Sequence, residues 1–162
     1  MILMIEGHDF HYEMENLCRI FFPYKKIKTV RERVEPEEIT AYTGVFERGD
    51  EVDLRVWLKI GDQCKEAEQT VAASQAHQDK ECEGLLAVLL YGLFTDLCGY
   101  TPKWGILTGV RPIKLLRRLS EDMGLDNALD YFRNGLLVSE QKTEKSLRTM
   151  GNEQKILSLS RP

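Results

Sequence analysis

The sequence of 162 residues lacks a long hydrophobic run, an excess of basic charge and any cysteine spacing typical of a metal site. Its longest apolar stretch, residues 85–94, contains Gly92 and is about half as long as a membrane span, so we expect no membrane segment. Lys and Arg number 22 against 26 Asp and Glu, a net charge of −4, which gives no support to nucleic-acid binding. The first residues include no cationic leader, so we expect no secretion signal.

The four cysteines argue against a complete active site in this chain. They stand at positions 18, 64, 82 and 98, and no three of them have the spacing of an iron–sulfur or zinc motif. Because no secretion signal is visible, we expect reduced, buried thiols in a cytoplasmic protein. The motifs GxSxG, HExxH and GxGxxG are absent, as is the phosphate-binding loop. We therefore expect no catalytic residue and no metal ligand here.

Two histidines near the N-terminus are the best candidates for metal ligands. His8 and His11 are three residues apart, and Glu13 follows them. No third ligand has a recognisable spacing, so ordinary turn histidines are the favoured interpretation.

Alternating apolar residues predict strands in the first part of the chain. Residues 39–46 and 53–60 should form an antiparallel hairpin, because Gly49 begins a turn between them and β-branched and aromatic residues are frequent in both. The predicted strands are 2–5, 25–34 at an edge, 39–46, 53–60 and, more weakly because of its charge, 64–71.

From about residue 79 the apolar period changes from two to about 3.6, which predicts helices. The stretch 85–91 is apolar on every side, as in a buried helix. Asp9 and Asp79 are the expected N-caps of the first two helices, and Gly99 should end the second. The predicted helices cover 10–22, 80–98, 113–123, 126–137 and 139–157.

Together these elements predict an α+β fold in which helices cover a largely antiparallel sheet, followed by a helical C-terminal segment. We expect an α+β domain over 1–100, a helical segment over 101–157 and a linker or tail over 158–162. The pattern leaves the order of the strands open.

The segment 101–118 has the least ordinary composition, because it holds five basic residues and no acidic one. Thr108, Gly109 and Arg111 precede a helix that can begin at Pro112, and Lys114 lies in its first turn. Helix N-termini bind carboxylates and phosphates, and an arginine can add a bidentate contact. Thr108, Gly109, Arg111 and Lys114 are therefore the candidate substrate-binding residues. The alternative is that Arg111 pairs with an Asp or Glu of its own fold.

Residues 104–115 read WGILTGVRPIKL, and this segment resembles the one that precedes the radical-SAM domain in HemZ-type oxygen-independent coproporphyrinogen III oxidases (coproporphyrinogen dehydrogenases). The resemblance continues through a Gly-x-x-x-Ala-x-x-Tyr-Phe stretch over 124–132 and through LVSEQK over 137–142. It covers the whole chain in outline and is specific mainly over 104–145.

The resemblance implies an accessory N-terminal region whose partner is the radical-SAM domain of the same polypeptide, expected to begin where this chain ends at Pro162. In that family the cysteines of a CxxxCxxC motif hold a [4Fe–4S] cluster, which cleaves S-adenosylmethionine to start the oxidative decarboxylation of porphyrinogen propionates. None of the four cysteines here has that spacing, so we expect neither cofactor and no turnover in this chain alone. The porphyrinogen is the substrate that the basic segment would bind.

Two other interpretations stay open. One is a non-catalytic cytoplasmic binding module whose basic segment 103–118 recognises an anionic ligand or partner. The other is a scaffold that docks onto and shields a neighbouring domain. A CxxxCxxC motif encoded beyond residue 162 would support the enzyme interpretation, and its absence would leave these two.

Overall fold

The structure, a computed structural model, describes residues 1–108 and 111–160. The chain divides into two compact units, Met1–Tyr100 and a second that begins at Thr101. The elements of the first unit are β1 (Ile2–Glu6), α1 (His11–Phe21), β2 (Lys28–Val30), β3 (Ile39–Arg48), β4 (Glu51–Ile60), β5 (Gln63–Ala72), α2 (Ala73–Ala76) and α3 (Asp79–Cys98). Those of the second are α4 (Pro112–Met123), α5 (Leu125–Asp130), a π-helical turn (Tyr131–Gly135) and α6 (Glu140–Leu159).

The five strands form one sheet in the order β2-β1-β3-β4-β5. β3, β4 and β5 are antiparallel, so the prediction of an α+β fold with a largely antiparallel sheet is confirmed. β1 is the exception, because it runs parallel to both β2 and β3. Parallel neighbours need crossover connections, and α1 and the segment 31–38 supply them. α1 packs against α3 on one face of the sheet, and Arg33 of the segment 31–38 lies over the Tyr42 ring on the other.

Both hairpins turn through two residues, the first of which is glycine. Gly49 and Gly61 have φ of +63° and +60°, the left-handed conformation that a tight hairpin turn requires at its first position. The hairpin predicted over 39–60 is therefore confirmed. The weakly predicted strand 64–71 is a full ten-residue strand, because pairing with β4 outweighs its low intrinsic β propensity.

The burial predicted for the middle of α3 is confirmed on one side of the helix, whereas Leu85, Val88 and Leu89 are half-buried. Leu86, Leu90 and Phe94 are completely shielded from solvent. α3 packs against β4, β5 and α1, and Phe94 stacks on Phe21 of α1 with the ring centroids 4.6 Å apart. Gly99 ends α3 in the left-handed conformation, as expected.

Two predicted helix caps are wrong. The N-cap positions of α1 and α3 are Phe10 and Gln78, and neither side chain makes a capping hydrogen bond. Asp9 instead forms an ion pair with Arg31, with 2.5 Å between Oδ1 and Nη1. Asp79 lies inside the first turn of α3, where its charge complements the helix dipole without capping it.

The second unit has an apolar core of its own. Leu116 of α4 and Phe132 of the π-helical turn are completely buried in it. Ser139 caps α6, since its Oγ accepts the Lys142 N–H over 3.3 Å. The helix predicted over 126–137 is α-helical only to Asp130, after which the backbone widens into the π-helical turn. None of the helices in the described part of the chain combines the length and hydropathy needed to cross a bilayer.

Candidate functional site

Backbone hydrogen bonds hold the segment before α4 against the turn before α6. The Ile106 N–H donates to the carbonyl of Leu136 over 2.9 Å, and the Ser139 N–H donates to the carbonyl of Lys103 over 2.9 Å. Between these anchors Gly105 has φ of +60°, and a Cβ there would collide with the carbonyl of Leu136. The chain is therefore fixed in place shortly before it reaches the candidate residues.

α4 buries one side and exposes the other. Its apolar side places Leu116 in the core of the second unit. Pro112 is its first residue, as predicted, and Arg111 is its N-cap. No side chain in the described part of the chain caps this N-terminus.

The exposed side of α4 carries a basic cleft of about 380 Å³, lined by Arg111, Lys114, Leu115 and Arg118. The three cations are three and four residues apart, so successive helical turns bring them to the same side. Among the residues that the structure describes, no acidic one lines the cleft. Within residues 1–108 and 111–160, the side chains of Arg111, Lys114 and Arg118 form neither a hydrogen bond nor an ion pair. The cleft is therefore suited to carboxylates or phosphates.

The structure brings together two of the four predicted site residues. Arg111 and Lys114 line the cleft. Thr108 is half-buried, and its hydroxyl has no hydrogen-bond partner among the described residues. Gly109 lies outside the described residues. Sequence reasoning missed Arg118, although its spacing of four residues from Lys114 on a predicted helix was an available signal.

A second basic cleft, of about 550 Å³, lies along α6. The Lys142 ammonium lies 5.0 Å from the centroid of the Trp104 ring. From Thr101 onward the sequence holds 11 Lys or Arg and 7 Asp or Glu, so the second unit is basic as a whole. Sequence reasoning missed this cleft, because mixed charges on a helix are typical of a solvated face. The lining residues are Lys103, Gln141, Lys142, Glu144, Lys145, Arg148, Thr149 and Asn152.

The four cysteines do not form a cluster site. Cys18 and Cys82 are buried, and burial raises the pKa of both thiols, which keeps them protonated. Cys64 is exposed on the edge strand β5, so the prediction that the thiols are buried is wrong for this residue. In the described part of the chain no three His, Cys, Asp or Glu residues are grouped as a metal site requires. The residues of this chain therefore do not fit an iron–sulfur cluster.

We expect this chain alone to take up no iron–sulfur cluster during anaerobic reconstitution. Iron and sulfide bound without converging thiolates should be lost on gel filtration. Iron and sulfide contents, together with visible charge-transfer absorbance, measure the outcome. Stoichiometric iron and sulfide with an organised spectrum would contradict the prediction.

His8 connects the turn after β1 to β3. The Phe10 N–H donates to Nδ1 over 3.1 Å, so the neutral ring carries its proton on Nε2, which donates to Thr43 Oγ1 over 2.9 Å. The ring also stacks on Phe10, with the centroids 5.1 Å apart. Because both ring nitrogens are occupied, the contacts of His8 agree with the interpretation as a turn histidine.

We expect the first unit to lose stability as the pH falls below 6.5, the ordinary pKa of histidine. Burial lowers the pKa of His8 in the folded protein, so the unfolded chain binds the proton more tightly. The stabilising contribution is complete above the unfolded pKa and is lost as the pH falls toward the folded value. Urea unfolding on either side of this pH measures the loss. His8→Asn keeps an acceptor for the Phe10 N–H but does not titrate, and an unchanged pH dependence in this variant would refute the assignment.

The fold and the clefts define a region suited to binding anions, and one comparison connects it to a known protein. The oxygen-independent coproporphyrinogen-III oxidase-like protein HemZ of Bacillus subtilis is 26% identical to this chain over 149 residues. The match covers 88% of this chain and 29% of HemZ, so the chain spans less than a third of that relative's length. The resemblance predicted from the sequence is confirmed as a partial match. No family model and no solved structure matches the chain.

Proposed function

We propose that this chain is the N-terminal accessory region of a cytoplasmic oxygen-independent coproporphyrinogen III oxidase of haem biosynthesis. The observation that carries the proposal is the similarity to HemZ, which extends over 88% of this chain but over only 29% of that protein. The remainder of such a polypeptide would supply the CxxxCxxC motif, the [4Fe–4S] cluster and the S-adenosylmethionine site. This chain would then contribute to substrate binding and leave the radical chemistry to its partner domain.

The basic cleft on α4 is the part of this chain that we assign to the substrate. A coproporphyrinogen carries propionate carboxylates, and Arg111, Lys114 and Arg118 present cationic donors, with no carboxylate of a described residue lining the cleft. A guanidinium binds a carboxylate through two parallel hydrogen bonds, which fixes orientation as well as adding affinity. Thr108 and Gly109, directly before this helix, complete the proposed set of contacts.

A second candidate function is a non-catalytic module that binds another anionic ligand or partner. The observation that favours it is the second basic cleft, along α6, because a single substrate need not occupy both clefts. The coding sequence after residue 162 separates the two proposals. A CxxxCxxC motif there supports the accessory region, and an open reading frame without one supports the binding module.

Arg111→Glu in the full-length enzyme tests the assignment of the α4 cleft. We expect it to weaken coproporphyrinogen binding about ten- to hundredfold, because a charge-assisted contact contributes about 1.5–3 kcal/mol. Arg111 has no partner among the described residues, so the melting temperature should hardly change. Anaerobic titration of coproporphyrinogen and thermal unfolding measure the two effects.

Arg117→Glu is the matched control on the same helix. Arg117 forms an ion pair with Glu153 of α6, so its reversal should lower the melting temperature and leave the affinity per folded molecule unchanged. If Arg111→Glu behaves in the same way as this control, Arg111 serves the fold and the substrate assignment is wrong.

A further inference from the structure

One face of the sheet in the first unit carries a groove rather than a helix. Side chains alternate between the two faces of each strand, and one set, including Leu54, Val56 and Leu58, is buried toward the helices. The other set forms a separate small cluster in which Met4 and Tyr42 are buried and Trp57 is partly exposed. Arg33 and Val34 of the segment 31–38 lie on this second face, where they line the groove together with Met4 and Tyr42.

The groove has a volume of about 600 Å³ and an aromatic floor. Tyr42 and Trp57 are directly paired residues of β3 and β4, and their rings are stacked with centroids 5.7 Å apart and planes 10° from parallel. Arg33 lines one side of the groove, and Glu66 of β5 lines the other. The site is thus built from four strands, β1, β3, β4 and β5, and the segment 31–38.

Each of two aromatic rings on this face has an arginine guanidinium over it, and each of these arginines also pairs with a carboxylate. The Arg33 guanidinium lies 5.6 Å from the centroid of the Tyr42 ring and donates to Glu6 Oε2 over 3.1 Å. The Arg55 guanidinium lies 5.5 Å from the centroid of the Phe46 ring. It pairs with Asp53 Oδ2 over 3.5 Å. The same triad of ring, guanidinium and carboxylate therefore occurs twice.

At Trp57 the ring and a neighbouring carboxylate are present, but no cation of the described residues completes the triad. Glu66 is its direct partner across the β4–β5 pairing, so both side chains lie on the groove face. Among the described residues no cation lies over the Trp57 ring, and the exposed carboxylate of Glu66 has neither an ion pair nor a hydrogen bond. Tryptophan is the aromatic side chain that binds cations best.

We infer that Trp57 and Glu66 form a receptor for an arginine side chain on a segment of a partner protein. A guanidinium can lie over the indole while its N–H groups donate to the carboxylate, as Arg33 lies over the Tyr42 ring and donates to Glu6. Charge favours a basic partner as well, because Met1–Tyr100 holds 19 Asp or Glu against 11 Lys or Arg. This surface is distinct from the α4 cleft and does not rest on the proposed function.

Titration of the chain with the blocked tripeptide Gly-Arg-Gly tests the inference. The indole N–H resonance of Trp57, assigned with Trp57→Phe, should shift on binding, and the tripeptide with citrulline in place of arginine should leave it unmoved. Glu66→Gln should weaken binding about three- to tenfold, because it removes the charge that the guanidinium meets. Glu68→Gln, two residues along the same face, is the matched control and should have a smaller effect, since Glu68 already faces Arg55 at 3.7 Å.

Three results would overturn the inference. Equal binding of the citrulline peptide would mean that no guanidinium is recognised. An equal shift of Trp57 with spermine would mean that the acidic unit attracts any polycation. Concentration-dependent self-association that Glu66→Gln abolishes would mean that a second copy of this chain, and not another protein, supplies the cation.

Discussion

Phe94→Ala is expected to destabilise the first unit by about 3–5 kcal/mol, the usual cost of truncating a buried phenylalanine. Phe94 is completely buried on α3 and stacks on Phe21 with the ring planes 9° from parallel. It also contacts Phe22 at a centroid distance of 6.2 Å. Its removal leaves a cavity where α1 and α3 meet and ends both ring contacts. Urea unfolding followed by circular dichroism measures the change in the free energy of unfolding.

Tyr24→Ala provides the comparison for Phe94→Ala. Tyr24 is 99% exposed, so the loss of its ring should change the free energy of unfolding by less than about 0.5 kcal/mol. Similar small effects in both variants would mean that α3 is not the central helix of this core. Hydrogen exchange adds a local measurement, because the amides of β4, on which α3 packs, should lose protection only in Phe94→Ala.

The elements that the sequence predicted best are those whose signal is local. The stretch 85–91 is apolar on every side, which favours a core helix, and four of its seven residues are buried. The hairpin over 39–60 combines alternation with a glycine at its turn. The direction of β1 could not be predicted in this way, because it depends on whether the connections through α1 and 31–38 return the chain to the same end of the sheet. Asp9 was misread for a related reason, since its partner Arg31 lies 22 residues away in the sequence.

The candidate sites also differ in whether a local sequence signal reveals them. Arg111 and Lys114 could be selected because they lie in one basic segment beside a helix start. Trp57 and Glu66 meet only through the register of β4 and β5, which a single sequence does not reveal. Their strands are also rich in charge, and charged residues on an edge strand are ordinarily a protection against aggregation. A groove of that kind therefore becomes visible only when the pairing is known.

Gly105→Ala is expected to destabilise the second unit by about 2–3 kcal/mol, by forcing a side chain into a left-handed position and into backbone. Gly105 has φ of +60°, and an added Cβ would collide with the carbonyls of Leu136 and Leu137. These backbone atoms belong to the turn that the Ile106 N–H holds by its hydrogen bond to Leu136, so they cannot retreat without breaking that contact. Thermal unfolding and the hydrogen exchange of α4 and α6 measure the loss.

Gly151→Ala in the same unit has the opposite expected sign. Gly151 lies within α6, and no described residue outside its own helix turn comes within 4 Å of the position of its missing Cβ, so alanine should stabilise the helix by about 0.5–1 kcal/mol. Two substitutions of identical chemistry thus separate a glycine that the backbone requires from one that it tolerates. If Gly105→Ala is as stable as the parent chain, the segment 104–107 is not anchored on the turn before α6, and its glycine needs an explanation from ligand binding instead. If the variant is destabilised as expected, Gly105 serves the fold, and the cations of α4 remain the candidates for contact with the substrate.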